Sequence, residues 1–320
     1  MIYEALAGQS LDLNAHGEQL NMTAWMNPAV SRFILNLTRG RNSVKSQSEK
    51  ARLFQSLHER EGAFIIPNPW DVGTARLLEH IGFEALATTS AGYAFSRGVR
   101  DNEIDRDEMI AHISDICSAT DLPVSADLEN GFGDSPEAVA ETIRLGAEAG
   151  LAGGSIEDST QRSPHAASAP IYEFDLAVER IRAAAEAARS LPIKFTLTGR
   201  CENYLVGRPD LAGTIARLQA YQEAGADVLY APGLPTKEAM ASVVSSVDRP
   251  VNVVMGLAGV SISLAELSDL GVKRVSTGSA LSRAALGAFL NAANEMQNEG
   301  TFGFADEAVS YKDLSVMFRA

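Results

Sequence analysis

Acidic residues stand at the ends of three successive short apolar runs. Asp127 and Glu129 end the run Val124–Asp127, Glu157 and Asp158 end Gly153–Glu157, and Glu202 follows Lys194–Thr198. Carboxylates crowded into one small mouth raise each other's pKa or demand a cation. No His or Cys cluster accompanies them, so the fitting cation is hard: Mg2+, with Mn2+ as the substitute. One or two acids would ligate it directly and waters would bridge to the rest. Arg200 is a permanent cation at the end of the same fifth run, and its planar fork can hold a carboxylate or an enolate oxygen. The bland alternative is that some of these acids are surface groups or simply pair with Arg200. Thr88-Thr89-Ser90-Ala91-Gly92 ends the second run with small residues whose N–H groups and hydroxyls can wrap a carboxylate or carbonyl oxygen. Asn68 and Asp71 end the first run.

Other chemistries find no residues in the right places. Imine chemistry needs a lysine near the mouth, but Lys194 and Lys273 fall at strand starts, on the opposite face. His58, His80 and His112 sit on helical stretches; only His165, in the aperiodic segment Ser159–Pro170, could reach a mouth. The length of that segment predicts a lid, in which Arg162 is a further cation. Cys117 is expected in the core, and Cys201 is expected to be turned away from the mouth by strand alternation.

The elements that must position these residues form a regular series. Eight runs rich in Val, Ile, Ala and Thr alternate with longer amphipathic stretches: Phe64–Pro67, Ala85–Thr89, Val124–Asp127, Gly153–Glu157, Lys194–Thr198, Val228–Ala231, Val251–Met255 and Arg274–Thr277. From Phe64 to Arg274 the starts advance 210 residues in seven steps, or 30 per step, the length of a strand, a crossover helix and two loops. Gly82, Gly150, Gly225 and Gly271 precede the even runs, where a helix C-terminus wants positive φ. Pro123, Pro192 and Pro250 precede the later odd ones. Eight βα units with alternating connections predict a closed (β/α)8 TIM barrel rather than an open doubly wound sheet, whose first turn would be glycine-rich. A helix from Ser46, with Ser48 as cap and Gly62 as stop, leads into the barrel. Residues 1–45 lack a sustained period and read as a poorly ordered or partner-docked arm, with the barrel and its flanking helices over 46–320.

Composition narrows the partners. Of 320 residues, 27 are basic and 41 acidic, a net charge of −14 that repels nucleic-acid backbones and anionic membranes. Neither nucleic acid nor a membrane is therefore an expected partner. Two cysteines are too few for a disulfide framework, and no export signal or spanning run is evident, so a cytoplasmic protein is expected.

Taken in order, Pro67-Asn68-Pro69-Trp70-Asp71, Thr88–Gly92, Asp127-Leu128-Glu129-Asn130-Gly131-Phe132-Gly133, Ser155-Ile156-Glu157-Asp158 and Gly199-Arg200-Cys201-Glu202 are a specific set. With them the chain resembles the isocitrate lyase/phosphoenolpyruvate mutase superfamily from about Ser48 to Gly300. The resemblance implies a barrel whose C-terminal helix is exchanged between subunits of a homo-oligomer, a dimer or tetramer, and a Mg2+ site for an α-keto acid or its enolate. By the same resemblance Asp127 is the principal metal-site aspartate, Glu129 stands where a second Asp is frequent, and Glu157 is the glutamate after the fourth strand. Asp101 matches an acid in the loop after the second strand, Arg200 contacts the carboxylate and oxyanion region, and Thr89, Ser90 and Gly92 form the anion-binding turn. The segment Ser159–Pro170 lacks both the Lys-Lys-Cys-Gly-His type lid of the lyases and the Lys and Asn of the mutase lid. The expected activity is Mg2+-dependent cleavage of a C–C bond in a small 2-oxo or 2-hydroxy carboxylic acid through a pyruvate-type enolate. The alternatives are P–C bond chemistry and a non-catalytic keto-acid-binding barrel.

Overall fold

Ser46 opens the first helix of the computed structural model, which describes residues 44–160, 170–257 and 260–318. Its hydroxyl accepts from the N–H of Glu49 while the Glu49 carboxylate accepts from the N–H of Ser46, so the cap lies two residues before the expected Ser48. This helix, α1 (Gln47–Glu59), turns Ala51, Phe54 and Leu57 onto the starts of the first, second and fourth strands at Phe64, Ala85 and Ala152. It thereby plugs the N-terminal end of the barrel. Fully burying a side chain such as Phe54 or Leu57 contributes about 1.5–3 kcal/mol. Close approach needs the missing side chain of Gly153, where a Cβ would lie 2.9 Å from Phe54 and 2.6 Å from the Thr196 carbonyl.

All eight expected strands form, as β1 (Phe64–Ile66), β2 (Leu86–Ala87), β3 (Val124–Asp127), β4 (Gly153–Glu157), β5 (Thr196–Arg200), β6 (Val228–Tyr230), β7 (Val251–Val254) and β8 (Arg274–Ser276). Every ladder is parallel, in the order β1-β8-β7-β6-β5-β4-β3-β2. The remaining seam, between β1 and β2, is bridged by the N–H of Ala87 donating to the Pro67 carbonyl at 3.0 Å, which makes a nearly closed barrel. Asn68 pins the same region, donating to the Thr88 carbonyl at 2.9 Å and accepting from the N–H groups of Thr277 and Gly278 at 2.8 and 3.0 Å. The expected glycine stops hold: Gly82, Gly150, Gly225 and Gly271 all have positive φ.

The connecting helices are α2 (Val72–Ile81), α3 (Ser90–Ser96), α4 (Arg106–Ala119), α5 (Pro136–Glu148), α6 (Phe174–Ser190), α7 (Leu211–Ala224), α8 (Lys237–Ser245) and α9 (Leu264–Asp269). After β8 come α10 (Ala280–Glu299), a 3-10 turn at Gly303–Asp306 and α11 (Tyr311–Met317). Cys117 and Cys201 are both buried, as expected, and burial pushes the Cys117 thiol up to about 12. No helix among the described residues is long and apolar enough to cross a membrane. The expected arm over 1–45 lies, up to residue 43, outside the described residues. So do positions 161–169, with Arg162 and His165. The flanks of that segment are joined, Ser159 bridging Ile171 and the N–H of Thr160 donating to the Pro170 carbonyl.

Candidate active site

Parallel register sets the site. Glu157 lies beside Arg200, and Arg200 beside Tyr230, because those residues pair across β4, β5 and β6. Asp127 ends β3 on the same rim, with Ser155 as its register partner. Arg200 joins the three strands through side chains: one terminal nitrogen lies 3.3 Å from Asp127 Oδ1 and 3.1 Å from Glu157 Oε2. Its Nε donates to Glu202, and its guanidinium carbon lies 5.2 Å from the centre of the Tyr230 ring. The pairing of acids with Arg200, given above as the alternative to a functional role, is present for Glu157 and Glu202 and extends to Asp127.

The electrostatics of this cluster are those of groups removed from water together. Burial pushes Glu157 well above the usual carboxylate range; Arg200 opposes that shift, while Glu202, Asp127 and Glu129 add to it. Glu202 is raised for the same first reason, with Arg200 again opposing. Burial alone would lower Arg200, but the charges of Glu157, Glu202 and Asp127 more than reverse this, and the guanidinium stays charged. Among the described residues, the Arg200 guanidinium is thus shared by Asp127, Glu157 and Glu202.

The turn after β2 supplies the rest. The Ser90 hydroxyl donates to Asp127 Oδ2 at 2.9 Å, and the Ser90 N–H reaches the same oxygen at 3.4 Å. Ser90 also hydrogen-bonds Asp101, whose carboxyl is held above its ordinary value by desolvation first and by the Asp127 charge second, although the residue as a whole stays exposed. Thr89 precedes Ser90 at the start of the turn. Its hydroxyl accepts from the Gly92 N–H at 3.2 Å as the N-cap of α3, which orients the Ser90 turn. Gly92 is needed for packing: a Cβ there would lie 2.6 Å from Thr89 Cγ2 and 3.2 Å from Trp70 Cβ. Glu129 is buried at φ 50; its N–H points at Asp127 Oδ1 at 3.3 Å, and its carbonyl accepts from the Glu157 N–H at 2.9 Å.

Two acids read from strand ends belong elsewhere. Asp71 caps α2, accepting from the N–H of Thr74 at 2.7 Å. Asp158 follows Glu157 and therefore faces the other side of the strand. There it accepts from Tyr221 at 2.7 Å, Arg217 at 3.1 Å and the Glu202 N–H at 2.8 Å, behind the barrel wall.

Below the rim lies a cavity of about 50 Å³ whose lining includes Asp127, Arg200, Tyr230, Asn252, Arg274 and Ser276. The last four were not singled out by sequence. The available signal was an Asn and an Arg inside otherwise apolar runs, at positions whose alternation turns them inward. Arg274 donates to Asn252 at 2.8 Å and to Thr198 at 2.9 Å, and burial lowers it to about 10.

A hard divalent ion is compatible with this donor set, which among the described residues offers carboxylate, hydroxyl and carboxamide oxygens. Among the described residues no three acidic, His or Cys side chains converge on one point. The fitting mode is therefore an ion held through one or two carboxylates, Asp127 foremost, with waters completing its shell, as Mg2+ prefers.

Similarity to known proteins agrees with this geometry. The phosphoenolpyruvate phosphomutase family profile matches residues 54–297. A solved structure of a candidate lyase/mutase from Burkholderia cenocepacia J2315 is 64% identical, with a TM-score of 0.82, over 86% of this chain and 97% of that one. That of 2,3-dimethylmalate lyase, a member of the PEP mutase/isocitrate lyase superfamily, is 26% identical with a TM-score of 0.73, over 86% and 95%. The 2-methylisocitrate lyase of Halalkalibacterium halodurans is 30% identical over 210 residues, 65% of this chain and 68% of that protein. This chain belongs to the phosphoenolpyruvate mutase/isocitrate lyase superfamily.

Proposed function

We propose that the protein cleaves a C–C bond next to a carboxylate or carbonyl in a small 2-oxo or 2-hydroxy carboxylic acid, through a pyruvate-type enolate, with Mg2+ bound at the rim. The observation that carries this reading is the junction of Arg200 with Asp127 and Glu157 above one cavity, where a permanent cation stands between carboxylates of neighbouring strands. Two relatives named as lyases, of 2-methylisocitrate and of 2,3-dimethylmalate, support the substrate class. Asp127, Glu129 and Glu157 are assigned to the ion and its waters. Mg2+, when bound, supplies positive charge to the substrate's carboxylate and carbonyl oxygens. Arg200 stabilises the developing oxyanion, since a preorganised donor in a site of low dielectric acts most strongly where charge appears. Ser90, oriented by the Thr89 cap and the tight Gly92 turn, holds the substrate carboxylate. Asp101, its carboxyl raised by desolvation and by the Asp127 charge and bonded to Ser90, is assigned the proton that quenches the enolate.

The proposed assembly rests on the long helix after β8, α10. Of the twenty residues of α10, only Ser282 is buried, while Phe289 and Leu290 are 67% and 57% exposed. Such a face demands cover. The proposed cover is a second copy of this chain, with the helix exchanged between subunits of a dimer or tetramer.

The reaction is tested by incubating the protein with oxaloacetate, 2-methylisocitrate, alkylated malates and phosphonopyruvate, with Mg2+ or with EDTA, and following pyruvate. Metal-dependent pyruvate from a carbon-only substrate is expected. Release from phosphonopyruvate alone would move the assignment to P–C chemistry. Oxalate binding without any turnover would make the chain a keto-acid-binding barrel.

A further inference from the structure

The turn after Asp127 is built from backbone conformations that side chains disfavour. Glu129 and Phe132 have φ 50 and 59, and Gly131 has φ 81. Left-handed non-glycine residues persist only where their surroundings over-determine them. Here the conformation has a use: it aims the Glu129 N–H at the Asp127 carboxylate and its carbonyl at the Glu157 N–H, tying together the three acids assigned to the ion.

Two buried side chains hold the turn from behind. Arg180, on α6 and 1% exposed, donates to the carbonyls of Asn130, Gly133 and Asp134. The Tyr172 hydroxyl donates to Asp134 Oδ1 at 2.6 Å and accepts from Asn130 Nδ2 at 3.0 Å. The guanidinium carbon of Arg180 lies 4.0 Å from the centre of the Tyr172 ring, so each fixes the other. Thr142 adds one more bond, to the Gly131 carbonyl at 2.7 Å. A buried cation whose hydrogen bonds all go to loop carbonyls is a poor stability device, because an apolar side chain could fill the space without desolvating a charge.

We infer that Arg180 and Tyr172 are positioning residues that set the divalent-cation affinity of the rim by locking the Asn130–Asp134 turn. Neither touches the ion or the substrate. The inference rests on the metal reading proposed above, and it extends the site to residues of a helix outside the barrel wall. Loss of an orienting partner behind a ligand costs about 10–100-fold in metal affinity.

The test uses Mn2+ as probe on the full-length protein, with its dissociation constant measured by electron paramagnetic resonance beside thermal unfolding. Tyr172→Phe keeps the ring and removes the hydroxyl, and is expected to weaken Mn2+ binding about tenfold. Its kcat should recover at saturating metal. Arg180→Met should weaken binding further, and Arg180→Lys should restore part of the loss. If Arg180→Met does not fold, Tyr172→Phe still decides. Wild-type Mn2+ affinity in Tyr172→Phe, with only its unfolding temperature lowered, would overturn the positioning role while leaving the metal reading intact. A wild-type protein that binds no Mn2+ would overturn that reading, and this inference with it.

Discussion

Asp127 and Asp158 are both acids at strand ends, yet they should respond to mutation in opposite ways. Asp127→Ala removes one of several acids competing for Arg200, so it should abolish turnover while the unfolding free energy in urea stays within about 0.5 kcal/mol of wild type or rises. Arg217→Met strands the Asp158 carboxylate, which is 2% exposed, and should cost about 3–5 kcal/mol in urea with Mn2+ affinity retained. Equal destabilisation by the two variants would remove the distinction between site acid and wall acid. A buried histidine adds a pH dependence. His58, packed edge-on to Phe54 and Phe64, is held at about 3 by burial first and by the charge of Arg274 second. The unfolded chain takes up protons below about pH 6.5 that the folded one refuses. Stability present above that pH is therefore lost as pH falls toward 3. Between pH 7.5 and 5 this single group should remove about 2 kcal/mol. His58→Phe should shrink that acid loss by the same amount in paired urea titrations; an unchanged pH slope would contradict the assignment.

At the scale of elements, the barrel seam rests on Asn68 more than on a ladder. Asn68→Leu leaves the N–H groups of Thr277 and Gly278 without their acceptor in a partly buried corner. It should cost about 3 kcal/mol, at about 1–3 for each buried orphan. Hydrogen exchange should locate the loosening at β1, β2 and β8 rather than across the whole barrel. The strands themselves were legible because the 30-residue step and the Gly and Pro punctuation reflect local conformational demands. The fifth was displaced by two residues, since apolar content around Phe195 resembles a strand while ladder bonding begins only at Thr196, whose N–H meets the Ala152 carbonyl. Alternation was equally legible for Cys201 and could have been applied to Asp158. What the sequence did not yield were contacts made across distance. Arg180 and Tyr172 meet the Asn130–Asp134 turn about 40 to 50 residues away, and no local period announces a guanidinium that binds carbonyls. The Thr89 cap was not legible either, because a hydroxyl at a strand end offers the same atoms to a ligand and to a helix N-terminus.

Among the described residues, the apolar side of α10 is left uncovered, and a chain with net charge −14 would not hold copies together by charge alone. Phe289→Asp should therefore yield monomers in light scattering where the wild type gives dimers or tetramers. A wild-type monomer would refute the exchanged helix. Barrel geometry, rim charge and family membership meet in one claim, that a divalent ion at Asp127 creates a place for a keto acid or its enolate beside Arg200. Calorimetric titration of oxalate, a stable mimic of the pyruvate enolate, addresses it most directly. The account predicts binding to the wild-type protein in Mg2+ that disappears in EDTA and in Asp127→Ala; oxalate affinity unchanged by either would contradict it.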